Sequence, residues 1–212
     1  MANPQSAIRN PQSAAGPRLL LCCCLLLQLL LCAVPVSGKE PAARIVDVAL
    51  MNTEHELLLY FTVKDAITEE MEKGIENGIP VAFSFFMELY RHQPGEADTK
   101  IVSRAFDHTL TYDPLKQQYS VEMEEKKDQV SSFKSFAEAQ WAMTNIHDLK
   151  LADLALLETD GGYTLKVKAK LAGKALPLNF QHIIPFWQLW KFETDWHSLS
   201  FTYGNPGPAT KR

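Results

Sequence analysis

The sequence predicts an α+β domain, mainly an antiparallel β-sheet or sandwich of about eight strands with two or three short helices. Three observations carry this expectation. Apolar and polar residues alternate with period two through most of the chain beyond residue 43, the pattern of strands with one buried face. Two stretches interrupt the alternation with helix start and stop signals. All four cysteines, Cys22, Cys23, Cys24 and Cys32, fall in one N-terminal run, so the rest must fold by ordinary burial, without disulfides or thiolate metal sites.

Taken in order, Arg44 to Asn52 is apolar and β-prone, and Leu57, Leu59, Phe61 and Val63 alternate with Leu58, Tyr60 and Thr62. The pair reads as a hairpin turning through Asn52 to His55. Thr68 caps a short helix that has Glu69 and Glu70 in its first turn. Ile67, Met71 and Ile75 share one face, and Asn77-Gly78 ends it before Pro80. A long strand follows, with Val81, Phe83, Phe85, Met87 and Leu89 on one side, and then a loop over Gln93 to Thr99. Ile101 to Tyr112 and Gln118 to Glu124 continue as strands around Asp113-Pro114. Three strands with short links predict a meander. Lys126 to Ser132 is polar and reads as a loop.

Ser135 and Glu138 form a capping box for a second helix running to about Asn145. Leu149 to Leu157 and Gly162 to Leu171 read as a hairpin through Thr159-Asp160-Gly161-Gly162. The second of these strands is the cleanest, with Tyr163, Leu165, Val167, Ala169 and Leu171 inward and Thr164, Lys166, Lys168 and Lys170 outward. A last strand, Ser198 to Tyr203, precedes a Pro/Gly tail from Gly204.

The N-terminal run looks like an export segment. Met1 to Arg18 carries Arg9 and Arg18 and no acidic residue, Leu19 to Ala33 is apolar apart from Gln28, and Pro35, Val36, Ser37 and Gly38 supply a breaker and small residues. Cleavage after Gly38 is the favoured outcome. An uncleaved anchor is the alternative, because about 18 apolar residues make about 27 Å of helix, the short end of a membrane span. A lipid-attachment signal fits worse, since Leu21 and Leu31 stand where a small residue belongs. Asn3 to Ala7 is repeated at Asn10 to Ala14, a low-complexity feature with no core to build.

This divides the chain into a signal peptide or membrane anchor over 1–38, one globular extracytoplasmic domain over 39–203 and a disordered tail over 204–212. Removing the first part takes the net charge from −4 to about −6, which argues against nucleic acid and anionic membrane surfaces as main partners. The expected compartment is the periplasm, or the inner membrane with the domain facing the periplasm. The expected partner is an envelope or inner-membrane protein, with membrane contact through the N-terminal segment if it is retained.

The residues offer one polar cluster. Arg104, Phe106, His108, Leu110 and Tyr112 stand at even spacing on one strand and face one way, with Glu88 and Tyr90 as candidates to meet them from the preceding strand. One reading makes His108 a proton carrier or ligand contact held by Asp113 or Glu88. The other, favoured, makes it a satisfied histidine in a partly buried polar network. His55 lies in the Glu54-His55-Glu56 turn, His147 precedes Asp148 at a helix end, His92, His182 and His197 have no acidic or histidine partner at a metal-ligand spacing, and no zinc, triad, phosphate-loop or EF-hand motif is present. No cofactor, metal or assigned catalytic residue is expected.

Two surface features complete the picture. Lys166, Lys168 and Lys170 read as a guard against edge-to-edge strand pairing, with an acidic partner or phospholipid headgroups as the alternative. Phe186, Trp187, Leu189, Trp190, Phe192 and Trp196 crowd together after Pro185. They either close the core, the favoured reading, or form a surface for a partner or membrane interface. Arg104, His108, Tyr112, Trp187 and Trp190 are the candidate binding residues.

Gly78 to Phe83 as a turn into a strand, His108 to Asp113 with Tyr119 after it, the Phe136 to Trp141 helix, and Leu176-Pro177-Leu178 before a tryptophan-rich end together resemble the bacterial secreted family catalogued as domain of unknown function 4390. The match covers nearly all of the chain beyond the export segment, in order. The resemblance implies an extracytoplasmic bacterial domain without a known activity and supplies no catalytic residues. Some members look to be encoded beside two-component sensor kinases, which hints at envelope sensing. The leading expectation is therefore a non-catalytic binding or protein-interaction module of the envelope. The alternative is a hydrolytic enzyme using His108 with a nearby carboxylate.

Overall fold

Where the sequence alternates, the chain forms strands, and these sort into two antiparallel sheets. The computed structural model describes residues 42–127, 129–172, 190 and 192–204. The expected export segment with its cleavage at Gly38, Phe186, Trp187 and Leu189 of the aromatic stretch, and the tail beyond Gly204 lie outside the described residues.

The smaller sheet begins with the expected hairpin, β1 (Arg44–Asn52) and β2 (Glu56–Lys64). Its turn is held by Thr53, whose hydroxyl oxygen accepts the Glu56 N–H at 2.9 Å. β7 (Asn145–Asp153) pairs with the other side of β2, giving the order β1-β2-β7. Asp47 on β1 and Asp148 on β7 both have positive φ, at 54°, and both fall where the register with β2 shifts. Aspartate tolerates this conformation better than most residues. A bulge on each outer strand twists that edge and discourages further strand pairing.

The larger sheet has six strands in the order β6-β5-β4-β3-β8-β9. These are β3 (Val81–Arg91), β4 (Thr99–Asp113), β5 (Gln118–Met123), β6 (Gln129–Phe133), β8 (Gly162–Leu171) and β9 (His197–Thr202). β3 to β5 form the expected meander. The odd-numbered residues from Val81 to Leu89 in β3 and from Tyr163 to Ala169 in β8 are buried and the even-numbered ones are turned outward, as the alternation requires.

Two sequence expectations fail here. Residues 129–133 are not loop: they form β6, paired with β5 over its length. β6 is an edge strand with one neighbour and little to bury, so backbone pairing decides its conformation without an apolar pattern. Leu149 to Leu157 and Gly162 to Leu171 do not pair with each other. The first pairs with β2, turns into a 3-10 segment at Leu154–Leu156, and the chain then crosses to the other sheet. The Leu154 N–H bonds to the His55 carbonyl at 2.8 Å, tying that crossing to the β1–β2 turn. Apolar alternation marks both as strands but carries no address for the partner.

The two helices are those expected. α1 (Glu69–Glu76) starts at Thr68, whose hydroxyl accepts the Met71 N–H at 3.3 Å, and stops at Asn77 before Gly78, at φ +85°. α2 (Phe136–Thr144) carries the full reciprocal capping box between Ser135 and Glu138. Met71, Ile75, Ala139 and Met143 go into a core shared by both sheets. Phe61 of the small sheet meets Phe85 of the large one edge-on, ring centroids 6.0 Å apart. Burying rings of this size supplies about 1.5–3 kcal/mol each.

Candidate functional site

β4 is the long strand that passes under both α2 and the small sheet, and its inward residues define the site. Phe106, His108 and Leu110 are buried in succession. The His108 ring is 1 % exposed and lies 4.9 Å from the Phe85 ring and 5.4 Å from that of Phe106. A polar ring so deep must find partners, and it finds two. Nδ1 donates to the Met143 carbonyl at the end of α2, 3.1 Å away. Nε2 lies 3.1 and 3.0 Å from the two carboxylate oxygens of Glu125.

Glu125 sits in the 3-10 turn Glu124–Lys126 directly after β5. Burial pushes its carboxyl up. The hydrogen bond and charge of His108 outweigh that effect and hold it below the ordinary value of 4.5, with smaller help from the turn's backbone N–H and from Lys126. With Glu125 ionised, both ring nitrogens face acceptors.

Glu125 also opens onto a cleft of about 250 Å³. Met87, Phe106 and Leu149 give it an apolar floor, and Arg104, Ala105 and Glu124 complete its lining with Glu125. Leu149 comes from the small sheet and Met87, Arg104 and Phe106 from the large one, so the cleft lies at the junction of the sheets. Arg104 Nη1 donates to the Lys150 carbonyl of β7 at 2.5 Å, strapping the sheets together at the rim. Glu124 accepts the Asp107 N–H at 2.8 Å, which pins the turn to β4. Next to it, Lys126 Nζ donates to His147 Nε2 at 3.0 Å, and the exposed Trp141 ring lies 6.1 Å from that imidazole.

His108 thus bonds Glu125, and Arg104 lines the cleft onto which Glu125 opens. Tyr112 is not part of it, for its ring packs on Tyr119 at 4.6 Å. Trp190 is half-buried against Gly74 of α1. Phe192 is buried on Phe83 at 4.5 Å, whereas Trp196 is 43 % exposed. Glu88 and Tyr90, considered as partners for His108, occupy the opposite face of the sheet, since Glu88 pairs in register with Ser103. Glu88 bonds to Lys100 and Tyr90 there. Asp113 instead accepts the N–H groups of Leu115 and Lys116 in its own turn.

Sequence reasoning missed Glu124 and Glu125, which follow the end of the alternation and carry no periodic signal. It also missed a polar chain across the outer face. His92 bonds Asp98 at 3.0 Å and Thr164 at 2.9 Å, and Thr164 bonds Ser200 at 2.9 Å. This chain ties β3, β8 and β9 at the open end of the sheet, with the His92 and Asp98 side chains 43 % and 45 % exposed. Among the described residues no group of three or more His, Cys, Asp or Glu is placed to hold a metal ion.

A two-sheet antiparallel α+β domain, with a buried histidine–carboxylate pair behind a cleft where the sheets meet, is the class these features define. The family model described as domain of unknown function (DUF4390) matches residues 40–200, and the chain belongs to that family. Searches of curated proteins and of solved structures each found no match.

Proposed function

We propose that the protein is an extracytoplasmic, non-catalytic interaction module of the bacterial envelope, and that it receives a group from an envelope protein in the cleft between its sheets. The observation that carries the reading is the division of labour at Glu125. Behind it, both His108 nitrogens are turned to protein acceptors, so neither faces a substrate in the cleft. In front of it lies a cleft with an apolar floor and a polar rim, which suits an apolar side chain whose backbone can bond at the rim. The export-like N-terminal run supports the compartment. Among the described residues no helix is long and apolar enough to cross a membrane, so the described domain itself supplies no helical anchor.

The test places a photoreactive phenylalanine analogue at Glu124, exposed on the cleft lining, and at Leu115, 95 % exposed on a distant turn. In intact cells, a crosslinked product of one defined mass from position 124 and not from 115 is expected. Equal or no crosslinking at both positions sinks the cleft as the partner's site. N-terminal sequencing of the exported chain tests the compartment separately: a chain starting at Lys39 fits cleavage at Gly38, and one found only in the cytoplasm ends the envelope reading.

A further inference from the structure

We propose that the outer face of β8 and its flanking strands docks onto an anionic phospholipid surface. The proposal rests on the extracytoplasmic reading above and uses the side of the molecule opposite the cleft. β8 is an interior strand, paired with β3 on one side and β9 on the other. Its lysines therefore guard no edge, and their grouping needs another reason. Lys166 Nζ lies 4.9 Å from the Tyr90 ring centroid, Lys170 Nζ 4.9 Å from Phe86, and Lys168 Nζ 5.7 Å from Trp196. Lys100 joins them over Tyr90 at 5.5 Å.

The charges there do not cancel. Glu88 pairs with Lys100 and Glu193 with Lys168, each at 2.6 Å. Among the described residues Lys166 and Lys170 have no carboxylate within ion-pair distance, and Lys170 is exposed. Glu88 and Glu193 also feel the charges of Lys166 and Lys170, Asp98 is held by His92 at the end of the sheet, and Asp107 and Glu122 stand on β4 and β5, across β3 from β8. A local cationic patch thus sits on a domain whose overall charge is about −6. This orientation brings the lysines to an anionic surface ahead of the domain's net negative charge.

A flat sheet face, with ammonium groups laid over partly exposed aromatic rings, matches the chemistry of a headgroup layer. Lysines attract the anionic lipids, and tryptophan and tyrosine rings prefer the interface. One lysine near such a surface is worth about fivefold in affinity.

The test uses the full chain on nanodiscs of phosphatidylcholine alone or with phosphatidylglycerol, so that any N-terminal anchoring is the same in both. Amine-reactive footprinting then reads each lysine by mass spectrometry, with Lys73 on α1 as the internal control. Labelling of Lys166 and Lys170 is expected to fall about fivefold or more on the anionic discs, with Lys73 unchanged. About 1 M salt, which shortens the screening length to about 3 Å, should restore it. In K166E/K170E, with its melting temperature retained, the protection of Lys168 should be lost. Equal labelling on both kinds of disc overturns the proposal. So does equal protection by soluble polyglutamate without lipid, which would make the face a reader of acidic polypeptides. A flat footprint beside intact crosslinking from position 124 overturns the docking alone, and the reverse pattern overturns the cleft alone.

Discussion

His108 and Glu125 form a buried ion pair at 3.0 Å, their side chains 1 % and 10 % exposed, and it joins β4 to the turn that lines the cleft. The pair is coupled through burial: each charge tolerates the core only because the other is there. His108→Leu leaves an ionised carboxylate with no cation and should cost about 3–5 kcal/mol. In H108L/E125L both charges are gone, and most of that loss should return. Urea unfolding of the four proteins measures the cycle. A single-variant loss below about 1 kcal/mol would show that the pair is solvated and does not hold the turn.

The same pair sets a pH dependence. The folded-state value of Glu125 lies below its ordinary 4.5, so its contribution is fully present above that value. It is lost as pH falls through the folded value, because the unfolded chain takes up the proton first. Glu88, Asp113 and Glu193 are also held low by their hydrogen bonds and neighbouring lysines, and their background must be removed by comparison. The urea midpoint of the parent protein should therefore drop more steeply below about pH 4.5 than that of Glu125→Gln. Parallel curves would mean that Glu125 does not titrate with folding.

Gly74 is helical, where alanine normally gains about 1 kcal/mol. Here a Cβ would lie 2.3 Å from Trp190 Cη2 and 2.6 Å from Cζ2, so the indole must leave its place on α1. Gly74→Ala should destabilise by about 1–3 kcal/mol despite the better helix former. The loss should largely disappear in a Trp190→Leu background. A stabilised G74A protein would show that the indole does not rest on the helix.

How much of this was legible in the sequence depends on which forces write themselves locally. Thr68, Ser135 and Glu138 announce their helices because a cap is satisfied within a few residues. The β3 and β8 alternation announces a buried face because side-chain direction has period two. The partner of a strand is not local: β7 and β8 look equally fit to pair with each other, and only the three-dimensional arrangement sends them to different sheets. His108 was visible as a candidate, but its partner was not. Strand parity pointed to Glu88 on the neighbouring strand, whereas register turns that side chain to the far face and the short turn after β5 brings in Glu125. The same register explains the lysines, whose outward direction was readable while the interior position of their strand was not.

The cleft gives the last prediction through Arg104, whose guanidinium spans from β4 to the Lys150 carbonyl of β7. The bond is exposed, so Arg104→Met frees a carbonyl that water can serve and should cost no more than about 1 kcal/mol in global stability. Its local effect should be larger. Without the strap, amides near Leu149 and Lys150 should exchange hydrogen faster at the edge of the small sheet. Crosslinking from position 124 should also fall several-fold, because the rim no longer holds its shape. Arg104→Lys keeps the charge but replaces a rigid planar donor with a flexible point charge, and should recover only part of the crosslinking. If R104M crosslinks as the parent does while its β7 amides exchange faster, Arg104 holds the sheets together but does not shape the partner's site. If both readouts stay unchanged, the strap has no mechanical role at the cleft.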